Sequence, residues 1–581
     1  MTHIEPQLPL DIPLSHAPRQ QRGLRGRVGP HSSLACAQSR LVLLGTAFAA
    51  MFSIVALRLI DATLLQPAAD IPALAGPAQP GAILPTRANL TDRNGELLAT
   101  SLPVQSLYAD PAKLLDPVEA ARGIASALPE LKFEDVLDKL MSAKRFVWIK
   151  RALTPEEVYR VNALGQPGLE FETEQSRLYP AGPATAHVIG YTDVDGKGLS
   201  GLERGLNEQL TQGGQPVTLS LDLRLQHILE REMNAAIKDF RAVGGAGVVM
   251  DLYSGEVLAA VSLPDYKPAD VANAGEEARF NRFALGSYEF GSVLKIINTA
   301  AALESGQVSL NSFYDATKGL RFGRHTINDF RPENRELSVA EIFIHSSNIG
   351  SAKMAMDMGG AYQRDFICKL GLCGPLKTEL PEMGPAQVPA HWAEVNSATI
   401  AFGHGISFTL LHLMQAVGAT LTGHLVTPTF VKHEPVAAPL GAEVVSYATV
   451  DKMRRLMRAN AVAGSGKNAN IAGYFVGGKT GTAEKTTGRR YSTEARLSSF
   501  IAAFPMDNPR YLIHVMIDEP RPNAHSQGYA TGGWVAAPVV GRVIEQMGPL
   551  YGMAPRAADD GEARRALQLD IRSRREPIET Y

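Results

Sequence analysis

Tyr288-Glu289-Phe290-Gly291-Ser292-Val293-Leu294-Lys295, continuing as Ile296-Ile297-Asn298-Thr299-Ala300-Ala301-Ala302-Leu303-Glu304-Ser305-Gly306, governs how the whole chain is read. Its second half is rich in helix formers and ends on Gly306, a natural C-terminal stop, while Gly291 reads as a loop residue before Ser292. This predicts Ser292 at the N-terminal end of a helix, where unpaired N–H groups and the helix dipole favour developing negative charge. Lys295, three residues on, projects from the same face and reaches the serine oxygen. That is an activated-nucleophile arrangement. Alone, Ser-x-x-Lys is a weak pattern, and an exposed helix start accounts for it. Two later stretches change the reading: Ser346-Ser347-Asn348 fits Ser-x-Asn, and Lys479-Thr480-Gly481-Thr482 fits Lys-Thr-Gly, in that order.

A chain of 581 residues accommodates two or three domains. Its 57 basic residues are balanced by 59 acidic ones with no dominant basic stripe, which gives no reason to expect a nucleic-acid partner. Three cysteines, Cys36, Cys368 and Cys373, are too few for a disulfide framework, and Cys368 and Cys373 stay open between a bridge and two thiols. No cofactor and no metal are expected.

Residues 1–40 are Pro- and Gly-rich, with Arg19, Arg22, Arg25, Arg27 and Arg40 against Glu5 and Asp11, and read as a disordered cytoplasmic tail. Leu41 to Ile60 is apolar apart from Arg58, and twenty helical residues span about 30 Å, the thickness of a bilayer core. The preceding arginines place the N-terminus in the cytoplasm and the rest of the chain outside, as for an uncleaved single-pass anchor. Residues 61–80 form a linker, and 81–215 a β-rich, non-catalytic pedestal with an Asn94-Gly95 hairpin turn and helices near Pro117–Ala127, Phe133–Ala143 and from Pro155.

Within 216–550, Val217–Leu221 reads as a strand, followed by a helix to about Phe240 and a hairpin of Gly247–Asp251 with Glu256–Ser262. Strands return at Tyr474–Lys479, Leu497–Phe504 and Tyr511–Ile517, before a helix at Trp534–Met547. The class is therefore α+β: an antiparallel sheet flanked by helices, with a helical subdomain closing over one edge. The three motifs meet where subdomain and sheet join. Residues 551–581 read as a mobile tail.

Gly473-Tyr474-Phe475-Val476-Gly477-Gly478-Lys479-Thr480 also satisfies the phosphate-loop pattern G-x-x-x-x-G-K-T. The context is wrong, because strand formers fill the supposed loop and Gly481 stands where a helix should run. Ala463-Gly464-Ser465-Gly466-Lys467 fits still less well. His404, without a ligand partner at metal spacing, reads as a structural histidine in a turn, His345 as packing support, and Asp251 and Glu256 as solvated turn residues.

With these residues in view the chain resembles a class B penicillin-binding protein of the FtsI type, the peptidoglycan D,D-transpeptidases of bacterial cell division. Besides the three motifs, the likeness includes Arg87 with Asp92-Arg93-Asn94-Gly95, Arg177-Leu178-Tyr179-Pro180 with His187 and Gly190, Gly198 to Glu203, Phe402 to Gly405, and Gly477 to Lys485. Phe290 stands where that family has proline, and Ser347 fills the variable middle position of the second motif. The division-type assignment rests on similarity around Ser346 to Gly350.

The resemblance implies that Ser292 attacks a D-Ala-D-Ala carbonyl of a stem peptide, releases D-Ala and forms an acyl-enzyme. A free lysine has a pKa of about 10.4, so Lys295 must be desolvated or placed near a second cation to act as base. Lys479 is that cation, expected to stay charged and to hold the substrate carboxylate with Thr480 and Thr482 on the Gly481-containing strand. Ser346 relays a proton to the leaving amine, Asn348 holds Lys295 and the substrate amide, and the backbone N–H groups of Ser292 and Thr482 form the oxyanion hole. An amine of a second strand, expected to be meso-diaminopimelate, accepts the acyl group, and β-lactams acylate the same serine. Implied partners are a septal glycan polymerase of the FtsW type and other division proteins, at the inner membrane with the catalytic domain periplasmic. An elongation-type transpeptidase, a D,D-carboxypeptidase, a β-lactamase or β-lactam sensor, and a non-catalytic division scaffold are the alternatives. The pedestal and anchor favour polymer crosslinking over the hydrolases, and the short N-terminal tail argues against a sensor.

Overall fold

The computed structural model describes residues 46, 48–53, 55–56, 87–323, 325–487, 490–573 and 579–580. The chain divides into two units, Met1–Ala82 and Ile83–Tyr581. In the first, residues 46, 48–53 and 55–56 are helical; the predicted tail 1–40, the rest of the 41–60 span and the 61–80 linker lie outside the described residues. Among the described residues no helix is long and apolar enough to cross a membrane.

The second unit begins with a short strand β1 (Leu90–Thr91) that turns back into the long strand β2 (Leu97–Ala109). The predicted Asn94-Gly95 turn is made by Asp92, whose Oδ1 accepts from the N–H groups of Asn94 and Glu96 at 2.7 and 2.9 Å, with Gly95 at φ +93°. Helices α1 (Pro117–Ala127) and α2 (Phe133–Leu140), strand β3 (Val147–Leu153), helix α3 (Pro155–Asn162) and strand β4 (Leu169–Leu178) complete the pedestal. Thr154 opens α3 with a capping box to Glu157, as Pro155 at the first helical position suggests. Its core joins Leu107, Ile124, Leu128, Val136, Leu140, Ile149 and Val161. A buried carboxylate, Glu203, is clasped by two guanidiniums, Arg87 Nε at 2.6 Å and Arg177 Nε at 2.7 Å.

The predicted strand at 217–221 is only β5 (Val217–Thr218), because Asp222 already caps the helix α4 (Leu223–Asp239) through Arg224 N–H. Strands β6 (Gly244–Asp251) and β7 (Val257–Leu263) form the hairpin. Its turn corrects the sequence reading, since Asp251 and Glu256 are buried. Asp251 accepts from Tyr253 N–H and binds Arg510 Nε at 2.7 Å, and Glu256 accepts from His433 N–H at 2.8 Å. The helical insertion then includes α5 (Leu294–Glu304), α6 (Val339–His345), α7 (Asn348–Met358), α8 (Leu410–Thr422) and α9 (Tyr447–Val462). Every α5 residue from Leu294 to Leu303 is buried, polar Lys295, Asn298 and Thr299 included, so the helix is enclosed on all sides. Cys368 and Cys373 are joined by a disulfide.

Three strands return: β8 (Gly477–Thr487), β9 (Arg490–Phe504) and β10 (Tyr511–Asp518), giving the antiparallel order β8-β9-β10-β6-β7 with β8 at the edge. Strand β8 starts three residues later than predicted. Phe475 has φ +45° and its ring lies under the guanidiniums of Arg458 and Arg556, so side-chain packing overrides its strand propensity. Along β9, Phe500, Ala502 and Phe504 face α4 and the helix α10 (Gly532–Leu550), whereas Ile501 and Ala503 face the helical subdomain. Val535, Val539, Val543 and Met547 of α10 fill that outer layer, each burial contributing about 1.5–3 kcal/mol.

The predicted mobile tail is corrected over residues 551–573, while residues 574–578 and 581 lie outside the described residues. Arg556 forms a two-pronged ion pair with Asp507, and helix α11 (Gly561–Leu567) buries Ala563 and Leu567, followed by buried Leu569 and Ile571. The high charge of this stretch masked its few buried apolar residues.

Candidate active site

Ser292 lies in a single 3-10 turn, Gly291–Val293, that runs into α5, and it is half-buried at the cleft where sheet and helical subdomain meet. The turn is forced by close backbone approach: Gly291 has φ +53°, and a Cβ there would sit 2.6 Å from the Thr482 carbonyl oxygen. On its other side the Phe402–Gly405 turn presses in, where a Cβ on Gly403 would meet Gly291 O at 2.0 Å.

Lys295 is fully buried, and its Nζ lies 3.0 Å from Ser292 Oγ, 2.6 Å from Ser346 O, 3.1 Å from Ser346 Oγ and 2.7 Å from Asn348 Oδ1. Two of these four oxygens, the Ser346 carbonyl and the Asn348 amide, can only accept. A neutral amine satisfies both with its two N–H bonds and turns its lone pair toward a serine hydroxyl. Asn348 is fixed in this sense because its Nδ2 donates to Asn328 O at 3.0 Å, which leaves Oδ1 for the lysine. Burial, then the charge of Lys479, push the Lys295 pKa well below its ordinary value, and Asp329 opposes them.

Ser346 ends α6 in the left-handed region at φ +61°, an arrangement that costs a non-glycine residue about 1 kcal/mol. It brings both the carbonyl and the hydroxyl of one residue onto Lys295. Sequence reading missed what holds this corner: Asp329, upstream of Ser346 in an irregular loop, accepts from Asn348 N–H at 2.5 Å, Ile349 N–H at 2.9 Å and Ser347 Oγ–H at 2.7 Å. A carboxylate at the start of α7 is stabilising there. An aspartate in an irregular loop gives no periodic signal.

Lys479, Thr480, Gly481 and Thr482 lie on the edge strand β8 facing this corner. Lys479 is fully buried and donates to Ser346 Oγ at 2.9 Å, so the hydroxyl of Ser346 bridges the two lysines. Burial pushes the Lys479 pKa down from its ordinary value to about 7, which weakens the cation expected from sequence until an anion binds beside it. Thr480 Oγ1 pairs with Ser465 Oγ at 2.7 Å, and Thr482 Oγ1 accepts from Gly532 N–H at 3.2 Å. Gly481 is a contact glycine, since a Cβ would approach Phe290 O to 2.5 Å and Ser499 Oγ to 2.6 Å. The position of Lys479 and Thr480 in mid-strand, with no helix following, removes the phosphate-loop reading.

His404 packs at the same corner, donating its backbone N–H to Thr399 O at 3.1 Å; burial, then the nearby Lys295, lower its pKa. His345 lies 3.5 Å from Glu333 and stays outside the lysine cluster. Among the described residues no cluster of His, Cys, Asp or Glu could hold a metal. The assembled parts are a half-buried serine, a desolvated amine with its lone pair available, a hydroxyl bridging to a second amine, and an edge strand.

Residues 245–545 match the family model of the penicillin-binding protein transpeptidase domain, and residues 82–218 that of the penicillin-binding protein dimerisation domain. The chain is 40% identical over 481 residues to a protein of Caulobacter vibrioides named as a probable peptidoglycan D,D-transpeptidase FtsI, covering 80% of this chain and 82% of that one. It is 33% identical over 503 residues to the probable peptidoglycan D,D-transpeptidase PenA of Neisseria gonorrhoeae, covering 81% and 85%. Its fold is similar to that of penicillin-binding protein 3 from Mycobacterium tuberculosis, crystallised with aztreonam, at a TM-score of 0.64 and 23% identity over 81% of this chain and 98% of that one.

Proposed function

This chain belongs to the penicillin-binding protein transpeptidase family, as a class B member of FtsI type, and from that premise we propose that it crosslinks peptidoglycan stem peptides through an acyl-enzyme on Ser292. The observation that carries the assignment of roles is Lys295 Nζ at 3.0 Å from Ser292 Oγ with its two N–H bonds engaged elsewhere. Ser292 Oγ attacks the carbonyl carbon of the penultimate D-Ala while its proton passes to Lys295. The oxyanion is taken by the backbone N–H groups of Ser292 and Thr482, one such donor being worth about 3 kcal/mol. As the C–N bond breaks, the leaving nitrogen gains a proton through Ser346 Oγ, which touches both lysines, and D-Ala departs. The acceptor amine then attacks the ester, and the same groups run in reverse. A terminal carboxylate bound beside Lys479, Thr480 and Thr482 raises the Lys479 pKa and restores its charge. β-Lactams acylate the same serine.

The protein acts at the division septum, anchored in the inner membrane by residues 41–60 with a cytoplasmic N-terminus, and works with a glycan polymerase of FtsW type. The apolar run and the upstream arginines support the anchor, and the relatives named FtsI support division. To test the reaction, the full chain is incubated with nascent glycan strands bearing D-Ala-D-Ala stems, followed by muramidase digestion and mass spectrometry. Crosslinked dimers with equimolar free D-Ala are expected. D-Ala release without dimers would assign a carboxypeptidase instead.

A further inference from the structure

The loop that grips Asn348 continues into Phe330 and Arg331, and Phe330 is 70% exposed. The Arg331 guanidinium lies 5.1 Å from the ring centroid of Tyr529, and Tyr529 is backed by Trp534 in a stack 6.5 Å apart and 10° from parallel. Tyr529 precedes Thr531-Gly532, where Gly532 N–H reaches Thr482 Oγ1. Arg331 therefore stands at the rim of the cleft between the second and third motifs. It is solvent-exposed and forms no ion pair with a carboxylate among the described residues, unlike Arg335 of the same loop, which pairs with Glu341 and Glu333.

A guanidinium resting on an aromatic ring keeps its edge N–H donors free, and that fork matches a carboxylate in two-pronged fashion. Stacking also restricts the side chain before the ligand arrives, which lowers the cost of binding. We propose that Arg331, set on Tyr529, is a subsite for a carboxylate of the stem peptide other than the terminal one held beside Lys479. The inference rests on the transpeptidase reading above. Either strand can supply such a group: the donor, through an internal carboxylate, or the acceptor, through the carboxylate next to its attacking amine.

The test compares the full chain with Arg331→Gln and with Tyr529→Leu, using thioester donors that carry or lack an internal carboxylate and, as acceptors, D-amino acids or their amides. Formation of a benzylpenicillin adduct shows first that each protein has a working serine, and its absence from the parent would overturn the transpeptidase reading itself. Loss of a charged two-pronged contact is expected to raise KM roughly tenfold for the carboxylate-bearing member of one pair, and to leave its neutral counterpart alone. A change confined to the donor pair assigns the donor strand, and one confined to the acceptor pair assigns the acceptor strand. Tyr529→Leu should give a smaller change of the same selectivity. If carboxylate and neutral compounds keep the parental KM ratio in both variants, the subsite is refuted.

Discussion

Replacing Asp329 tests whether the second motif is held from outside itself. Its carboxylate accepts three hydrogen bonds, from Asn348 N–H, Ile349 N–H and Ser347 Oγ–H, at 2.5 to 2.9 Å. Hydrogen bonds to a charged acceptor are worth about 1.5–3 kcal/mol each when buried. Asp329 is only partly buried, so water replaces part of what is lost, and roughly 3 kcal/mol in total is the expected cost of Asp329→Ala. The larger effect falls on rate: with α7 released, Asn348 Oδ1 drifts from Lys295, and a misplacement of about 1 Å is worth about 100-fold. Asp329→Asn keeps one accepting oxygen and removes the charge. Because that charge raises the Lys295 pKa, the Asn variant should hold Lys295 neutral to lower pH and move the acid limb of acylation downward. Stopped-flow acylation by a chromogenic cephalosporin across pH, with thermal melts alongside, reads all three quantities. Parental stability and rate in Asp329→Ala would refute the reasoning.

Lys295→Met removes the donor to Ser346 O and Asn348 Oδ1 as well as the base, and acylation should fall about 10²–10⁴-fold; a variant within tenfold of the parent would oppose the base assignment. In the parent, kcat/KM should be bell-shaped: it falls on the acid side as Lys295 gains a proton, and on the alkaline side as Lys479 loses one from about 7 upward in the free protein, a limb that Lys479→Arg should move far upward. Gly403→Ala has to place a Cβ 2.0 Å from Gly291 O at φ +88°, so the turn carrying Ser292 must shift, and loss of acylation with the fold retained by circular dichroism is expected. Leu567→Asp puts a charge where α11 is buried, and should lower the melting temperature by a few degrees, roughly 2–3 kcal/mol, if the C-terminal segment is docked.

The placement of the motif residues was legible in the sequence because they are close in sequence or lie on regular elements. Ser292 and Lys295 sit one helical turn apart and Lys479 to Thr482 share a strand, so spacing placed the members of each motif side by side, while the order of the three motifs and the family resemblance supplied their roles. What joins the motifs was not legible. Asp329 and the Ser465 hydroxyl behind Thr480 come from loops, where neither a 3.6- nor a two-residue period marks a side chain's direction. Strand propensity misled at Tyr474–Val476, because two arginines and the core set the backbone of Phe475. Charge misled twice, at Asp251 and Glu256 and in residues 551–573, since the partners that permit burial, Arg510, His433 and Asp507, are distant in sequence. The electrostatic balance was only partly foreseen: the low Lys295 pKa follows from Lys479 and burial, but burial of Lys479 itself also weakens that cation.

The most direct test of the central claim is the intact mass of the protein after incubation with benzylpenicillin, beside Ser292→Ala. One stable adduct of about the mass of the drug is expected on the parent, located on Ser292 by peptide mapping and lost slowly, and none on the variant. A correctly folded parent that takes up no adduct, or an adduct that persists in Ser292→Ala, would contradict that claim.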